Sequence, residues 1–283
     1  MTSTVVVINW NSGDLLQICI DSLLATTTDV KILVIDNASR DSSLDFLTDS
    51  YDRVRLVGNS SNRGFAAAVN QAFEDTSTPY VMLLNPDVRV LPGAVQLLEE
   101  FMDSHPWAGA AGGYVGEKYL PKAFPTVGTL VRENLGLGSA AAPLQSSQPI
   151  QVDQPAAAAL MIRRDAYEDT GRFDERFFPA WYEDVDFCLR MKRHGWKIFF
   201  VPAAEFIHTG GYSAEGLGSE RFLRAYYHNQ VRYAEKHFGL LGTIAVRASI
   251  AAGTIGRMIA RPRQVKAYGK VMMGALVGWS HRR

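Results

Sequence analysis

Hydrophobic residues in this chain occur in two patterns, short continuous runs and runs spaced three or four residues apart. The continuous runs predict strands buried on both faces, and the spaced runs predict amphipathic helices. Because the two alternate, the pattern predicts an α/β fold with a mostly parallel sheet. The predicted strands are residues 4–10, 30–35, 53–57, 80–84, 107–116, 156–163 and 196–201; the predicted helices are 14–25, one capped by Asp41 or Ser42, 64–74, 92–104, 182–194 and 219–237.

The strand at residues 80–84 organises the rest of the chain. It carries five apolar or aromatic residues without a charge and stops at Asn85-Pro86-Asp87. Pro86 cannot donate to a sheet hydrogen bond, so the strand is expected to end there. Asp87 then lies just beyond the carboxyl end of a central strand, where ligands bind in open α/β sheets. A carboxylate there can hold a divalent cation, and the cation a diphosphate; a simple turn is the alternative.

Polar residues also follow the other predicted strands. Right-handed crossovers place the carboxyl ends of parallel strands at one edge of a sheet, so these residues are expected along one rim. Two of them stand at the start of a helix, where an anion can bind. The candidate ligand-binding residues of this rim are Asn9, Asn11, Asp36, Asn37, Arg63, Gly64, Asn85 and Asp87.

Two further clusters are candidates for chemistry. Glu183 and Asp184 begin a predicted helix after several aromatic residues, and an apolar wall can raise a carboxyl pKa toward that of a general base. The alternative is that these acids only complement the helix dipole. His208 follows a strand and precedes two glycines that allow close backbone approach. A neutral imidazole is a common metal ligand, with a structural histidine as the alternative.

Composition narrows the class of protein. The chain has 47% hydrophobic and 20% charged residues and a formal net charge of zero, so it is globular and carries no signal for nucleic acid. Cys19 and Cys188 lie in predicted amphipathic helices, which favours buried free thiols over a disulfide or a zinc site. A G-x-G-x-x-G after the first strand is absent, which argues against a Rossmann dehydrogenase, and there is neither a P-loop nor a G-x-S-x-G elbow.

Two segments depart from the alternating pattern. Residues 117–155 contain five prolines and predict an irregular, partly mobile segment on the acceptor side. After Glu235 come nine basic residues and no acidic one. The tail at 240–283 mixes apolar runs with single basic residues, which is typical of binding to an anionic membrane surface; a solvated helix packed on the domain is the alternative.

Two features of the sequence determine the cellular location that we expect. The N-terminus has no secretory signal, and no run of about 18 apolar residues is free of charge, so no spanning helix is expected. We therefore expect a cytoplasmic protein that is peripheral at the inner face of the plasma membrane.

The motifs in this order resemble the inverting glycosyltransferases of family 2, and within them the bacterial rhamnosyltransferases. The resemblance covers roughly residues 4–237 and implies a GT-A fold, a Rossmann-like sheet flanked by helices. It implies a nucleotide-sugar half at about 1–116, an acceptor half at about 117–237, and a basic amphipathic helical tail at 238–283. The motifs are Asn9-Trp10-Asn11, Asp36-Asn37-Ala38-Ser39, Asn62-Arg63-Gly64-Phe65, Asn85-Pro86-Asp87, Tyr182-Glu183-Asp184 and His208.

The resemblance also implies residue roles. Asp36 would bind the base of the nucleotide sugar, and Asp87, with His208, would bind Mg²⁺ or Mn²⁺. Asn85 stands where the family has the first Asp of its Asp-x-Asp motif. Asp184 matches the family's usual general base, with Glu183 as the second candidate.

The implied reaction is the inverting transfer of a sugar from a dTDP- or UDP-sugar to a glycan or polyprenyl-linked acceptor in cell-envelope polysaccharide synthesis. Rhamnose from dTDP-rhamnose is the first choice of donor, and galactofuranose or another hexose the second. Two alternatives stay open, a non-catalytic sugar-nucleotide-binding relative and a nucleotide-sugar pyrophosphorylase. The pyrophosphorylase would need a glycine-rich basic loop after the first strand, which Asn11-Ser12-Gly13-Asp14 does not provide.

Overall fold

The structure is a computed structural model that describes residues 3–27, 29–47, 51–138, 146–210 and 219–279. Its strands are β1 Ser3–Asn9, β2 Lys31–Asp36, β3 Val54–Gly58, β4 Tyr80–Leu84, β5 Val88–Val90, β6 Ala108–Tyr114, β7 Ile150–Gln151, β8 Ala159–Arg163 and β9 Lys197–His208. Its helices are α1 Leu15–Thr26, α2 Phe65–Glu74, α3 Ala94–Ser104, α4 Val127–Asn134, α5 Arg164–Thr170, α6 Glu183–Arg193, α7 Ser219–His237, α8 Gly239–Ala260 and α9 Val265–Val277. Short 3₁₀ turns precede α4 and α9.

The strands form one mixed sheet in the order β3-β2-β1-β4-β8-β6-β9-β5, with β7 paired to β9. β3, β2, β1 and β4 are parallel neighbours. β8 runs antiparallel between β4 and β6, and β9 is again parallel to β6. Most strands therefore run in one direction, and the predicted α/β class is confirmed.

The central strand β4 shows why the apolar runs predict the sheet. All five of its residues are buried, and successive side chains of a strand point to opposite faces. Both faces of the sheet are therefore covered at this strand. On the neighbouring helix α1, Leu16, Cys19 and Leu23 are buried at helical spacing. Cys19 and Cys188 are both buried and free, as predicted.

The helix predicted after Asp41 or Ser42 is wrong within the described residues. Residues 41–46 form bends and turns instead, and residues 48–50 lie outside the described chain. Asp41 Oδ1 accepts hydrogen bonds from the backbone N–H and the hydroxyl of Ser43, at 3.2 and 2.6 Å. Its Oδ2 accepts from the Gly13 N–H at 2.8 Å. These side-chain bonds offer the backbone an alternative to the helix.

The segment at 117–155 is more regular than predicted. It contains α4, whose N-terminus is closed by a capping box between Thr126 and Thr129, and the short strand β7. Residues 139–145 lie outside the described chain. Three more elements differ from the prediction. The sequence predicts neither β5 nor α5, and β9 continues to His208 rather than ending at 201 because its last residues pair with β5.

The chain divides into two compact units. The first comprises Met1–Ala123, Pro143–Glu175 and Glu183–Tyr212 and contains the sheet. The second comprises Phe124–Ala142, Arg176–Tyr182 and Ser213–Arg283. Its core joins α4, α7, α8 and α9 through a set of buried residues. That unit is therefore larger than the tail at 238–283. The core residues are Leu130, Tyr227, Val231, Ala234, Val246, Ile250, Val271 and Ala275.

The expectation that no helix spans a membrane stays a prediction. Among the described residues, α8 is long and apolar enough to cross a membrane by length and composition alone, with a mean hydropathy of 1.3 over 18 residues. Of these 18 residues, 33% are buried inside the protein. Arg247 and Arg257 interrupt the apolar run of α8, so the sequence has no charge-free run of about 18 residues there.

Candidate active site

The polar residues predicted at strand ends lie along one edge of the sheet. Asn9 and Asp36 are the last residues of β1 and β2 and pair in register. On the other side of β1, Val7 pairs with Leu84, the last residue of β4. Asn85 follows directly, so the three polar clusters stand side by side at the carboxyl ends of β2, β1 and β4, where ligands bind in such sheets.

Asn9 and Asp36 share one buried hydrogen-bond network. Asn9 Nδ2 donates to Asp36 Oδ1 at 2.8 Å, to Ser39 Oγ at 3.1 Å and to Ser43 Oγ at 2.9 Å. Ser12 Oγ donates to Asn9 Oδ1, and the Ser39 N–H donates to Asp36 Oδ2 at 3.0 Å. Asn9 is fully buried, and its side-chain bonds are made within the protein. Its geometry is that of a residue that orients Asp36.

Asn37 fixes the loop that precedes α2. Its Nδ2 donates to the Gly64 carbonyl at 3.3 Å, and its Oδ1 accepts from Asn59 Nδ2 at 3.0 Å. Gly64 has φ +83°, a conformation that favours glycine, and its N–H donates to Asn62 Oδ1 at 2.8 Å. The sequence prediction did not include Asn59. A polar residue directly after β3 was the available signal.

Asn11 and Arg63 are more accessible than Asn9. Asn11 has φ +51°, and its Oδ1 accepts from the Arg40 N–H at 2.7 Å. Arg63 is exposed, and its Nη1 donates to Gln71 Oε1 at 3.2 Å. Asn85 is half-buried, with its backbone N–H bonded to the Ala158 carbonyl at 3.0 Å.

The structure brings Asp87 and His208 into contact. β5 pairs with β9 so that Val88 lies opposite His208, and the Thr209 N–H donates to the Asp87 carbonyl at 3.0 Å. Asp87 Oδ1 and His208 Nε2 are 3.1 Å apart, and both side chains are less than a tenth exposed. The Tyr119 ring lies against the imidazole, with 4.5 Å between centroids.

The Asp87 and His208 pair fits a divalent cation. Adjacent ligands of an octahedral ion bound at about 2.1 Å are about 3 Å apart, which matches the separation of the two atoms. Among the residues that the structure describes, no group of three or more metal-ligating side chains occurs. The pair would therefore supply two ligands, and diphosphate oxygens and water would supply the others.

Glu183 and Asp184 start α6. After a short turn the chain enters β9, which is parallel to β6, and α6 contacts β9. A helix that leads into a parallel strand runs back along it, so α6 begins toward the carboxyl edge of that part of the sheet. The two residues before α6, Trp181 and Tyr182, both have φ above +70°. Such strained backbone clusters at functional sites.

The two carboxyl groups have different surroundings. Burial raises the pKa of Glu183 well above its ordinary range, and the charge of Asp184 raises it further. Glu183 Oε2 is buried without a hydrogen-bond partner in the described chain. Burial also raises the pKa of Asp184, while a bond from the Val185 N–H at 2.8 Å and the charge of Lys122 reduce that rise. Asp184 is half-buried and is therefore more accessible than the buried Glu183.

Lys122 acts on the candidate site through its charge, and the sequence did not predict this. It stands in the proline-rich segment, and its N–H donates to the Gln154 carbonyl at 3.1 Å. The pairing of these two residues is an isolated antiparallel bridge. Nothing in the local sequence indicates that pairing, because it depends on residues 32 positions apart.

Glu183→Gln is expected to stabilise the fold near neutral pH. The ordinary pKa of 4.5 applies to the unfolded chain, and the folded pKa is higher. The folded state thus binds more protons between the two values, and wild-type stability falls as the pH rises through that window. A neutral amide has no such pH-dependent cost, so the unfolding free energy should rise by at least about 1 kcal/mol, or the melting temperature by about 2–4 °C.

The measurement is a thermal melt of the wild type and Glu183→Gln at about pH 4 and about pH 8, on either side of the ordinary carboxyl pKa of 4.5. The gain should be small at the acidic pH and larger at the alkaline one. An equal gain in stability at both pH values would show that the packing of the amide, rather than the loss of the titrating carboxyl, causes the gain.

Known proteins share this fold. Two similar solved structures are GalNAc-T7 with UDP, GalNAc and Mn²⁺, and a mannosyltransferase from Pyrobaculum calidifontis with GDP-Man and Mn²⁺. The first has a TM-score of 0.62 at 18% identity and covers 83% of this chain and 48% of its own. The second has a TM-score of 0.58 at 16% identity and covers 98% and 85%. These likenesses show the GT-A fold.

Curated relatives agree with that fold. The N-acetylglucosaminyl-diphospho-decaprenol L-rhamnosyltransferase of Mycobacterium tuberculosis is 28% identical over 87% of this chain and 91% of its own length. The rhamnosyltransferase WbbL of Escherichia coli is 22% identical over 77% and 87%. The family model for glycosyl transferase family 2 matches residues 4–171, more than half of the chain. The protein is therefore a glycosyltransferase, and it belongs to glycosyl transferase family 2.

Proposed function

We propose that this glycosyltransferase is an inverting rhamnosyltransferase that uses dTDP-rhamnose and a polyprenyl-linked glycan acceptor in the synthesis of a cell-envelope polysaccharide. The observation that carries the proposal is the Asp87–His208 pair at 3.1 Å on the edge of the sheet. The names of two relatives, both rhamnosyltransferases and one acting on a diphospho-decaprenol, support the donor and the acceptor. Because the chain belongs to a glycosyltransferase family, the pyrophosphorylase is set aside. The presence of Asp87, Glu183, Asp184 and His208 argues against a non-catalytic relative.

The proposed reaction is a single displacement. The Asp184 carboxylate takes the proton of an acceptor hydroxyl as that oxygen attacks the anomeric carbon and the bond from this carbon to the diphosphate breaks. Attack from the face opposite the leaving group inverts the anomeric centre. The raised pKa of Asp184 makes it a better proton acceptor than an ordinary surface aspartate. Glu183, whose pKa is raised well above its ordinary range, is the second candidate.

The donor site would be built from the rim residues. Asp36, oriented by Asn9, would accept a hydrogen bond from the base of the nucleotide. Asp87 and His208 would hold Mg²⁺ or Mn²⁺. A cation bound there would neutralise negative charge on the departing nucleoside diphosphate. The other proposed donor-binding residues are Asn11, Asn37, Arg63, Gly64 and Asn85.

We propose that the reaction takes place at the cytoplasmic face of the plasma membrane. A polyprenyl-linked acceptor is confined to a membrane, so an enzyme that uses it has to reach the membrane surface. The tail of the chain is the part with a matching charge, because it holds nine basic residues and no acidic one after Glu235.

Thermal stabilisation by a panel of donors tests this function. The pure protein is melted with dTDP-rhamnose, UDP-galactofuranose, dTDP and UDP, each with Mg²⁺, Mn²⁺ or EDTA. A donor at about 100 times its Kd adds about 2.7 kcal/mol, a shift of several degrees. We expect the largest shift with dTDP-rhamnose and a divalent cation. A UDP-sugar that shifts the melt more would replace the donor, and an equal shift in EDTA would contradict the cation site.

A further inference from the structure

The surface of α8 that lies outside the protein core is apolar along its whole length. Six residues of this stripe fall within an arc of about 80° at 100° per residue, and they extend over about 27 Å. None is charged, and the large ones are strongly exposed, with Leu241 at 82% and Ile259 at 80%. We call this surface the α8 outer face. Its residues are Leu241, Ile244, Ala248, Ala252, Ile255 and Ile259.

The two charged residues of α8 lie away from the outer face and contact protein instead. Arg247 Nη1 is 3.6 Å from Glu235 Oε1. Arg257 donates to the carbonyl oxygens of Glu133 at 3.0 Å and Asn134 at 2.5 Å. A surface helix of a globular protein usually has its apolar side toward the core and its charges toward water. On α8 the solvent-exposed side is apolar, and both charges are bonded to neighbouring chain segments.

Positive charge lies at one end of the outer face. Arg261, Arg263 and Lys266 follow α8 directly and are all exposed, and Val265 among them is also exposed at 42%. No acidic residue follows Glu235 in the sequence. An apolar helix face with cations at its border matches an anionic bilayer, because the apolar side chains enter the headgroup–acyl boundary while the cations contact lipid phosphates.

We propose that α8 lies in the plane of an anionic phospholipid bilayer, with its outer face embedded and its other face still packed on the protein. This inference rests on the proposed function only for the presence of a membrane-bound acceptor. The cations at residues 261, 263 and 266 hold the end of the helix at the headgroups.

The buried face of α8 argues against a spanning arrangement. Val246 and Ile250 belong to the core of the second unit, and Ser249 Oγ accepts a bond from Asn134 Nδ2 at 3.0 Å. Spanning would break these contacts and move Arg247 and Arg257 into hydrocarbon, which is costly for a charged side chain. An in-plane position keeps every one of these contacts.

Vesicle flotation of the full-length chain tests the proposal. The vesicles are phosphatidylcholine alone or with about 30% phosphatidylglycerol, at low and high salt. We expect binding to the anionic vesicles, weaker binding at high salt, and at least about a tenfold lower partition coefficient for Ile255→Ser/Ile259→Ser. Arg261→Gln/Arg263→Gln should weaken binding to anionic vesicles and leave the small binding to neutral vesicles unchanged.

Ile18→Ser provides a matched control. Ile18 lies on α1 and is 50% exposed, close to the 54% of Ile255, so the same chemical change is made at a position of similar exposure. It should bind vesicles like the wild type. Failure of the wild type to bind anionic vesicles, or equal binding by the α8 variant, would overturn the proposal. A wild-type dimer that the α8 variant converts to monomer, without vesicle binding, would overturn it in favour of contact with a second copy.

Depth measurements separate the in-plane from the spanning arrangement. An environment-sensitive dye is attached in turn to Leu241→Cys, Ala252→Cys and Ile259→Cys, and quenched by lipids brominated at different depths. The in-plane helix places all three labels at one shallow depth, whereas a spanning helix places the middle label deepest and overturns the proposal. Donor-induced thermal shifts are measured on the same variants. Vesicle binding without donor binding would contradict only the proposed function, and donor binding without vesicle binding only this inference.

Discussion

Asp184→Asn is expected to lower kcat by about 10²–10⁴-fold, the usual contribution of a general base, with little change in the Kd of the nucleotide sugar. The amide keeps the shape of the side chain and an oxygen that can accept the Val185 N–H bond now made at 2.8 Å. It cannot take a proton from the acceptor hydroxyl. Steady-state turnover with a lipid-linked acceptor and calorimetric titration of the donor measure the two quantities separately.

Two comparison variants show which carboxylate takes the proton. Glu183→Gln replaces the neighbouring buried carboxyl by an amide and should keep most of the turnover, because Asp184 remains. Asp165→Asn makes the same chemical change at an exposed position in the first turn of α5 and should leave turnover unchanged. A larger loss for Glu183→Gln would transfer the role of base to Glu183. An equal loss of turnover and donor affinity for Asp184→Asn would contradict the proposed role altogether.

Asp87→Asn is expected to lower kcat/KM by about 10³-fold, or about 4 kcal/mol, because the variant loses the charged ligand of the cation. Thermal stabilisation by the donor with Mg²⁺ or Mn²⁺ should fall to the value seen in EDTA. The carboxylate is also a partner of His208 at 3.1 Å, so the melting temperature without ligand is measured first. The fold should persist, since an amide oxygen can still accept from the imidazole.

The histidine offers an independent check on the same cation. His208→Asn should weaken the metal-dependent shift less than Asp87→Asn does, because a neutral ligand contributes less to a divalent ion than a carboxylate. His194→Asn is its control, since the His194 side chain is 44% exposed and directly follows the C-terminus of α6. Full metal-dependent binding in both Asp87→Asn and His208→Asn would place the cation elsewhere.

The parts of the fold that sequence predicts well are those decided by local burial. Tyr80–Leu84 is apolar throughout because both of its sides meet the core, and β1 and β2 follow the same rule. Helices α2, α6 and α7 start and end within a residue or two of their predicted bounds because their apolar spacing is regular. In each case the residues within one element carry the whole signal.

The parts that sequence misses depend on distant partners. The continuation of β9 to His208 exists because Phe206 and His208 pair with β5, more than a hundred residues earlier. The predicted helix after Asp41 fails because Gly13, from another loop, bonds to the Asp41 carboxylate. A single sequence contains no information on which distant segments pair, so propensity decides the prediction and tertiary contacts decide the structure.

The candidate site, like the fold, has some features that local sequence predicts and others that depend on distant contacts. The motifs indicate which residue types stand at the sheet edge, and the structure brings Asp87 to His208 and Asp36 to Asn9. The charge of Lys122 beside Asp184 is not visible in any motif. Roles for the individual residues remain predictions that the substitutions above test.

The internal position of Asn9 affects how variant data on this enzyme should be interpreted. Its side chain is buried and bonded to Asp36, Ser39 and Ser43. In a deep mutational scan scored by sugar transfer, nearly every substitution at this position would score as inactive, as if a donor contact had been removed. The same substitutions would also lower protein abundance, and true donor contacts would not. A parallel abundance screen would therefore separate architectural positions from recognition positions around the whole rim.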